Sequence, residues 1–283
     1  MAGAVLAGVA FLSGGVLAEI LVHEDFENVP KSVGWMQEGG WFGDTTFGPG
    51  TGRELTSEVK CPGGRQCLKL TLKTGQRRAG ALFHKINPSE TVHFRYYRMF
   101  PEGWVWPDGY GPHDAVLYGG RWTAPTGNEL SVFLDLWKTA DSITRIGSGL
   151  LPKQQAKLLA YQKKTSGVAS GWGRAAVGLY WNKSEPDKFL PGKWNCLEVG
   201  AKLSTPGKAD GEVRLWVNGK LCSEWTDIPL RDADHADLKF HLFFLSMYFH
   251  PGSPKDQAHY VDDVVISTEY IGPIDYEKPA SGP

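Results

Sequence analysis

The chain has 283 residues, of which 41% are hydrophobic and 22% charged. These proportions are those of a folded globular protein and exclude a disordered or collagen-like chain. With 30 Lys and Arg against 31 Asp and Glu, the formal net charge is −1. No overall positive charge would therefore attract nucleic acid or an anionic membrane.

The N-terminal segment 4–18 is uncharged and rich in alanine and glycine, and it ends with Leu17 and Ala18 before Glu19. An apolar run that ends in small residues is typical of a secretory signal peptide. The alternative is a membrane anchor, but about 15 residues is below the roughly 20 that cross a bilayer as a helix. We therefore expect a signal peptide over residues 1–18, a mature chain without a membrane span, and a secreted or periplasmic protein.

Beyond this segment, glycine and proline separate short stretches in which apolar and polar side chains alternate. Alternation with a period of two predicts half-buried β-strands joined by turns. Segment 68–73 alternates leucine with lysine and threonine, and segment 213–217 alternates valine and leucine with arginine and tryptophan. Asn218 and Gly219, which follow the second segment, predict a type I′ hairpin turn.

Three predicted strands carry aromatic and ionisable side chains on the face that solvent would otherwise cover, namely 92–100, 129–137 and 241–250. Aromatic rings stack on pyranose faces and polar groups bind hydroxyls, so such a face favours a sugar polymer. The alternative is a face covered by long loops. The residues that we assign to substrate binding are Trp122, Glu129, Phe133, Asp135, Trp137, Tyr180, Tyr248 and His250.

Segment 152–164 fits either a short helix or a charged strand, whereas the β-branched segment 260–267 predicts a strand that closes a sheet. Neither an internal repeat nor a Ser/Pro-rich linker divides the chain. We therefore predict a single domain over residues 19–275 and an extended tail over residues 276–283.

The four cysteines, Cys61, Cys67, Cys196 and Cys222, match no zinc-ligand spacing. In an oxidising compartment we expect Cys61 to pair with Cys67 across a turn, and Cys196 with Cys222 across two adjacent strands. Four cysteines allow three connectivities, and the alternative to any of them is four reduced thiols.

Several motifs occur in a fixed order, namely FRYYRMFPEGW at 94–104, YGG at 118–120, DGEVRLWVNGK at 210–220, YVDDVVI at 260–266 and YIGP at 270–273. Together they resemble the concanavalin A-like jelly-roll polysaccharide lyases, especially the family 14 type and the glucuronan lyases, over roughly residues 24–273. The resemblance implies an all-β jelly-roll sandwich of two antiparallel sheets. Laminin-G-like and lectin-like sandwiches use the same framework, so these motifs bear more on fold than on chemistry.

The resemblance also implies β-elimination on a uronic-acid polymer such as alginate or glucuronan. That reaction needs a cation that neutralises the C6 carboxylate, a base that removes the C5 proton, and an acid that protonates the leaving oxygen. Alignment on Tyr118 places His113 where the family has a cleft lysine, while the strand that carries the family's arginine has none here. The catalytic residues that we predict on this basis are His113, Arg95, Tyr97, Tyr161 and Arg121.

Acidic residues lie near the two chain ends, which pair in many jelly rolls; they are Glu24, Asp25, Glu27, Asp262 and Asp263. Hard oxygen ligands suit Ca²⁺, so these residues predict a structural calcium site, and the alternative is a hydrogen-bonded acidic edge. We expect the chemistry itself to require no cofactor.

Two other functions stay open, a non-catalytic glycan-binding module and a glycoside hydrolase. Glu129 and Asp135 share one strand face, but six residues separate their backbones by roughly 20 Å. Glycosidases hold their two carboxyl groups about 5 to 9.5 Å apart, so a hydrolase would need another partner such as Glu185 or Glu198. The sequence has no nucleotide-binding glycine loop, Gly-x-Ser-x-Gly or His-Glu-x-x-His motif. We expect a monomer whose partner is a polysaccharide, with no nucleotide or nucleic acid bound.

Overall fold

The computed structural model describes residues 18–27, 40–43, 52–107, 113–120, 128–137, 141–150, 152–166, 177–179, 182–185, 191–249 and 251–275. The strands are β1 (Ile20–Glu24), β2 (Trp41–Gly43), β3 (Arg53–Thr56), β4 (Cys67–Leu72), β5 (Ala81–Ser89), β6 (Thr91–Met99), β7 (His113–Gly120), β8 (Asn128–Trp137), β9 (Asp141–Leu150), β10 (Val177–Leu179), β11 (Trp194–Lys202), β12 (Gly211–Val217), β13 (Lys220–Ile228), β14 (Phe240–Tyr248) and β15 (Gln257–Ser267).

One α-helix, α1 (Pro152–Ser166), and one 3₁₀ turn (Ala233–His235) complete the described elements. Segment 152–164, for which the sequence allowed either a helix or a strand, is therefore helical. It begins at a proline, which suits a first helical position because that position has no intrahelical partner for an N–H. Among the described residues, no helix is both long and apolar enough to cross a membrane.

The strands form two antiparallel sheets. Within the described ranges, sheet A has the order β13-β12-β11-β6-β15-β4-β3, with β1 paired to β15, and sheet B has the order β10-β9-β8-β7-β14-β5-β2. Neighbouring strands in each sheet are often far apart in the chain, as in β6 between β11 and β15. The predicted two-sheet jelly roll is confirmed.

The core lies between the inner faces of the two sheets, where every second residue of a strand is apolar. In β12, Val213, Leu215 and Val217 are fully buried, whereas the residues between them are partly exposed. Each such side chain contributes about 1.5–3 kcal/mol on burial. Asn218 and Gly219 then adopt φ values of 51° and 76°, as the predicted type I′ turn requires.

A charged network is buried within this core. Arg98 and Asp114 form an ion pair with both side chains at 0% exposure, and Tyr96 donates its hydroxyl hydrogen to the same carboxylate. Arg98 Nη1 also donates to Nδ1 of His259 over 3.0 Å. Burial, and then the positive charge of Arg98, hold the pKa of His259 well below its ordinary value, so the ring is neutral.

Neutral His259 makes the fold sensitive to acid. Below its ordinary pKa of 6.5 the unfolded chain binds a proton at His259 that the folded chain does not, so protonation favours unfolding. We expect the free energy of unfolding to fall by up to about 1.4 kcal/mol per pH unit as the pH drops from this value. His259→Gln keeps an acceptor for Arg98 and should flatten the fall. Urea unfolding over a pH series measures the free energy of unfolding of the wild type and of the variant. An equal dependence on pH in the two proteins would contradict the prediction.

Candidate functional site

The outer face of sheet B carries the candidate site, and a β-bulge at the start of β7 shapes it. His113 pairs with Asp135, but Ala115 pairs with Leu134, so Asp114 is an extra residue in the ladder. Asp114 enters the core to meet Arg98, which leaves His113 on the outer face. Bulges often re-aim a side chain next to a functional site.

Polar and aromatic side chains surround His113 on this face. Its Nδ1 lies 2.8 Å from Oδ1 of Asp135, and its ring lies parallel to that of Tyr248, with centroids 6.2 Å apart and an interplanar angle of 4°. The Phe133 ring lies 5.8 Å away. Arg77 Nη1 donates to the Tyr248 hydroxyl over 3.4 Å. We call these five residues the His113 cluster.

The pairing with Asp135 sets the protonation pattern of the His113 ring. Asp135 is buried and His113 is half-buried. An ionised carboxylate only accepts hydrogen bonds, so Nδ1 must donate, and the neutral imidazole then has its lone pair on Nε2. This arrangement would allow His113 to act as a general base whose orientation and charge Asp135 supports, as in the histidine–carboxylate pair of a hydrolytic triad.

A row of apolar side chains crosses the same face beside the cluster. Register pairs Phe42 with Phe83, Phe83 with Phe244, Phe244 with Val116, and Val116 with Phe133. The Phe83 and Phe244 rings stack with centroids 4.3 Å apart, and the Phe42 and Phe83 rings with centroids 5.3 Å apart. We call this the aromatic row; it spans five strands, or about 19 Å.

The structure brings together four residues that the sequence assigned to the site, His113, Phe133, Asp135 and Tyr248. Glu129 and Trp137 lie on β8 as well, in register with Gly120 and Asp141. The predictions for Arg121, Trp122, Tyr180 and His250 lie outside the described residues.

Arg95 and Tyr97 do not join this site, which corrects the prediction. Both lie on β6 in sheet A, on its outer face. Arg95 is buried in an ion pair with Asp263, and the Tyr97 hydroxyl accepts a hydrogen bond from the Ile274 N–H over 2.7 Å. Alternation predicted the shared face of these two side chains, but it contains no information on which sheet includes the strand.

Tyr161 also lies elsewhere, on α1 beside the edge strand β13. Its hydroxyl donates to the Thr226 carbonyl over 2.5 Å and its ring meets Trp225 edge-on, with centroids 6.5 Å apart. Burial raises its pKa to about 12. It lines a separate pocket of about 840 Å³, together with Lys157 and Lys208, so it is not a partner of His113 in the described structure.

The predicted disulfides are not formed, and all four cysteines are buried thiols. Cys61 and Cys67 pack in one cluster, and the Cys61 thiol donates to the Val59 carbonyl over 3.1 Å. The pairing of Cys196 with Cys222 is wrong, because β12 lies between β11 and β13 and the two side chains belong to different clusters. Strands separated by a third lie roughly 9.6 Å apart, beyond the reach of a disulfide.

The acidic residues near the chain ends accept hydrogen bonds from the protein. Glu27 accepts from the backbone of Gln66 over 2.7 Å, Asp262 accepts from the Gly63 N–H over 2.7 Å, and Asp263 contacts His23 over 2.9 Å.

Glu24 and Asp25 likewise accept from N–H groups two residues on. Burial above all raises the pKa of Asp262 to about 8. The part of the chain that is described has no three His, Cys, Asp or Glu side chains grouped to hold a metal ion. The calcium site stays a prediction.

Sequence reasoning missed Arg77 and the members of the aromatic row other than Phe133. Arg77 lies in the loop before β5, where no periodic pattern marks it, and only folding brings it to Tyr248. The sequence did carry a sign of this row, because Phe83 and Phe244 are apolar residues on strand faces that alternation alone would leave to solvent.

No family model matches the sequence, and no curated protein matches it. Solved structures do match. The marine PL-14 alginate lyase from Aplysia kurodai aligns with a TM-score of 0.65 at 15% identity, covering 88% of this chain and 98% of that chain. This chain has the jelly-roll fold of that lyase.

Two further lyases have the same fold. Alginate lyase from Chlorella virus aligns with a TM-score of 0.58 at 16% identity, covering 77% of this chain and 89% of that one. Endo-β-1,4-glucuronan lyase from the fungus Trichoderma reesei aligns with a TM-score of 0.52 at 14% identity, covering 77% and 87%. The predicted resemblance is confirmed as a likeness of fold, and the chemistry must be argued from the site.

Proposed function

We propose that the chain is a polysaccharide lyase that cleaves a uronic-acid polymer by β-elimination on the outer face of sheet B. The observation that carries the proposal is the His113–Asp135 pair beside Tyr248. The shared fold with structures named as alginate and glucuronan lyases supports the substrate class.

In the proposed mechanism, His113 Nε2 removes the proton from C5 of the uronate. The C–H electron pair forms the C4–C5 double bond, the bond from C4 to the glycosidic oxygen breaks, and that oxygen takes a proton. Asp135 stabilises the imidazolium that His113 becomes. Tyr248, stacked beside His113, is the acid that we assign to the leaving oxygen.

Arg77 is the cation that we assign to the C6 carboxylate. A guanidinium binds a carboxylate in a bidentate manner, and neutralising that charge makes the C5 proton more acidic. Its contact with the Tyr248 hydroxyl places it in the His113 cluster. The aromatic row would support the neighbouring sugars by stacking.

Export is part of the proposal, because a uronan polymer is too large to enter a cell. The predicted signal peptide over residues 1–18 fits this location and stays a prediction. A single chain carries every residue of the His113 cluster, so the proposed chemistry needs no second subunit.

The proposal is tested by incubating the purified protein with alginate, glucuronan, pectate and glycosaminoglycans. Elimination creates a C4–C5 double bond that absorbs in the ultraviolet, so we expect absorbance and reducing ends to rise together with at least one polymer. Reducing ends without absorbance would indicate a hydrolase. Binding to a polymer with neither signal would indicate a glycan-binding module, and both results would overturn the proposal.

Asp135→Asn should lower kcat about 10²-fold while KM changes little. The amide preserves the size of the side chain but removes the negative charge that supports a protonated His113. Initial rates of ultraviolet absorbance on the cleaved uronan measure this. Asp232→Asn is the matched control, because Asp232 pairs with His235 over 2.6 Å away from the site. Equal activity of the two variants would contradict the role of Asp135.

A further inference from the structure

We propose a second glycan-binding site, on the outer face of sheet A, where a neutral sugar stacks on Trp216. The inference goes beyond the proposed lyase function, since this face lies on the opposite side of the sandwich from the His113 cluster. The site is a pocket of about 680 Å³ whose lining includes Thr91, His93, Trp216 and Tyr270. We call it the Trp216 pocket.

Two aromatic rings form one wall of this pocket. Trp216 is half-buried, while its neighbours Leu215 and Val217 are fully buried in the core. Tyr270 is 47% exposed, and the two rings lie with centroids 4.8 Å apart at 45°. An indole on the solvent side of a sheet beside an exposed phenol offers the amphipathic surface on which pyranose rings stack.

The buried carboxylate of Glu198 contacts groups in both the floor and the wall of the pocket. Glu198, 1% exposed, lies 3.1 Å from His93 Nδ1 and accepts hydrogen bonds from the N–H groups of Ile271 and Gly272 over 2.9 and 2.8 Å. One side chain therefore holds both the His93 ring and the segment that follows Tyr270.

The absence of a side chain at Gly200 leaves room for the His93 ring. It pairs with His93 and Arg214 on the two neighbouring strands, and a Cβ atom added to it would lie 2.4 Å from His93 Cε1. The imidazole thus occupies the space above Gly200 that a side chain would fill. Any larger residue would displace the ring from the pocket floor.

The charges around the pocket favour a neutral sugar over a uronate. Arg214 contacts the carboxylates of Glu212 and Glu224, over 2.6 and 2.9 Å, so its charge is already compensated. Glu19, Glu90 and Glu269 add three carboxylates to the lining. Carboxylates accept hydrogen bonds from sugar hydroxyls but repel a second carboxylate.

Affinity electrophoresis in gels that contain soluble β-1,4-glucan, xylan, mannan or alginate tests the proposal without requiring catalysis. We expect retardation by at least one neutral polymer, and a rise in Kd of about tenfold or more in Trp216→Ala. Trp216→Phe should restore part of the affinity. Tyr270→Ala, at an exposed position, gives a second variant if Trp216→Ala does not fold.

Phe133→Ala, in the other sheet, is the control and should leave binding to the neutral polymer unchanged. Trp216→Ala should in turn leave the rate of uronan cleavage unchanged. Absence of retardation by every neutral polymer would overturn the second site, as would equal retardation of wild type and both wall variants. Retardation by alginate alone would overturn the charge argument. None of these outcomes depends on whether the protein is a lyase.

Discussion

His113→Ala is expected to reduce kcat for uronan cleavage about 10²- to 10⁴-fold, the usual contribution of a general base. The variant removes the nitrogen that takes the C5 proton and the contact between His113 and Asp135. Substrate stacking on the aromatic row does not involve the imidazole, so KM should change much less than kcat. Initial rates of ultraviolet absorbance over a range of polymer concentrations measure both constants.

The matched control is His235→Ala, which breaks another histidine–aspartate pair, with Asp232, outside the site. This control should retain the wild-type rate and show that a lost pair does not by itself impair the enzyme. His113→Ala activity above one tenth of the wild-type rate, in a variant with an unchanged unfolding transition, would contradict the assignment of His113 as base.

Arg98→Ala is expected to lower the free energy of unfolding by about 3–5 kcal/mol. Both Arg98 and Asp114 have side chains with 0% exposure, so the variant leaves a buried carboxylate without its cation. Burial already raises the pKa of Asp114, and Arg98 is the charge that most opposes this effect. Urea unfolding at constant pH measures the loss.

Lys202→Ala is the control for this stability prediction. Lys202 contacts Glu212 over 3.2 Å at the surface, with side chains 52% and 23% exposed, and such pairs contribute less than about 1 kcal/mol. Similar losses in the two variants would show that the buried network does not stabilise the core. Because Asp114 is the bulged residue next to His113, the same network also anchors the strand that presents the proposed base.

Much of the fold follows from local pattern. The alternation in 213–217 and the Asn218-Gly219 pair predicted a strand and a hairpin turn, and the structure has both. Such predictions succeed because they depend on neighbours in the chain: which side chains share a face, and which residues tolerate positive φ.

The site was predictable only in part, because it depends on strand pairing and on one bulge. Phe133 and Asp135 were found because they share a face of β8. Arg95 was misplaced because the pairing of β6 with distant strands decides the sheet. Strict alternation would also have put His113 in the core with Ala115, and the extra residue Asp114 reverses this.

The central claim, elimination at the His113 cluster, is tested most directly by the masses of the fragments that the purified protein releases from a uronan. We expect the oligosaccharides with a newly formed non-reducing end to be lighter by one water than the corresponding hydrolysis products and to end there in an unsaturated uronate, and we expect them to be lost in His113→Ala. Fragments with the mass of hydrolysis products, or intact polymer with every uronan, would contradict it.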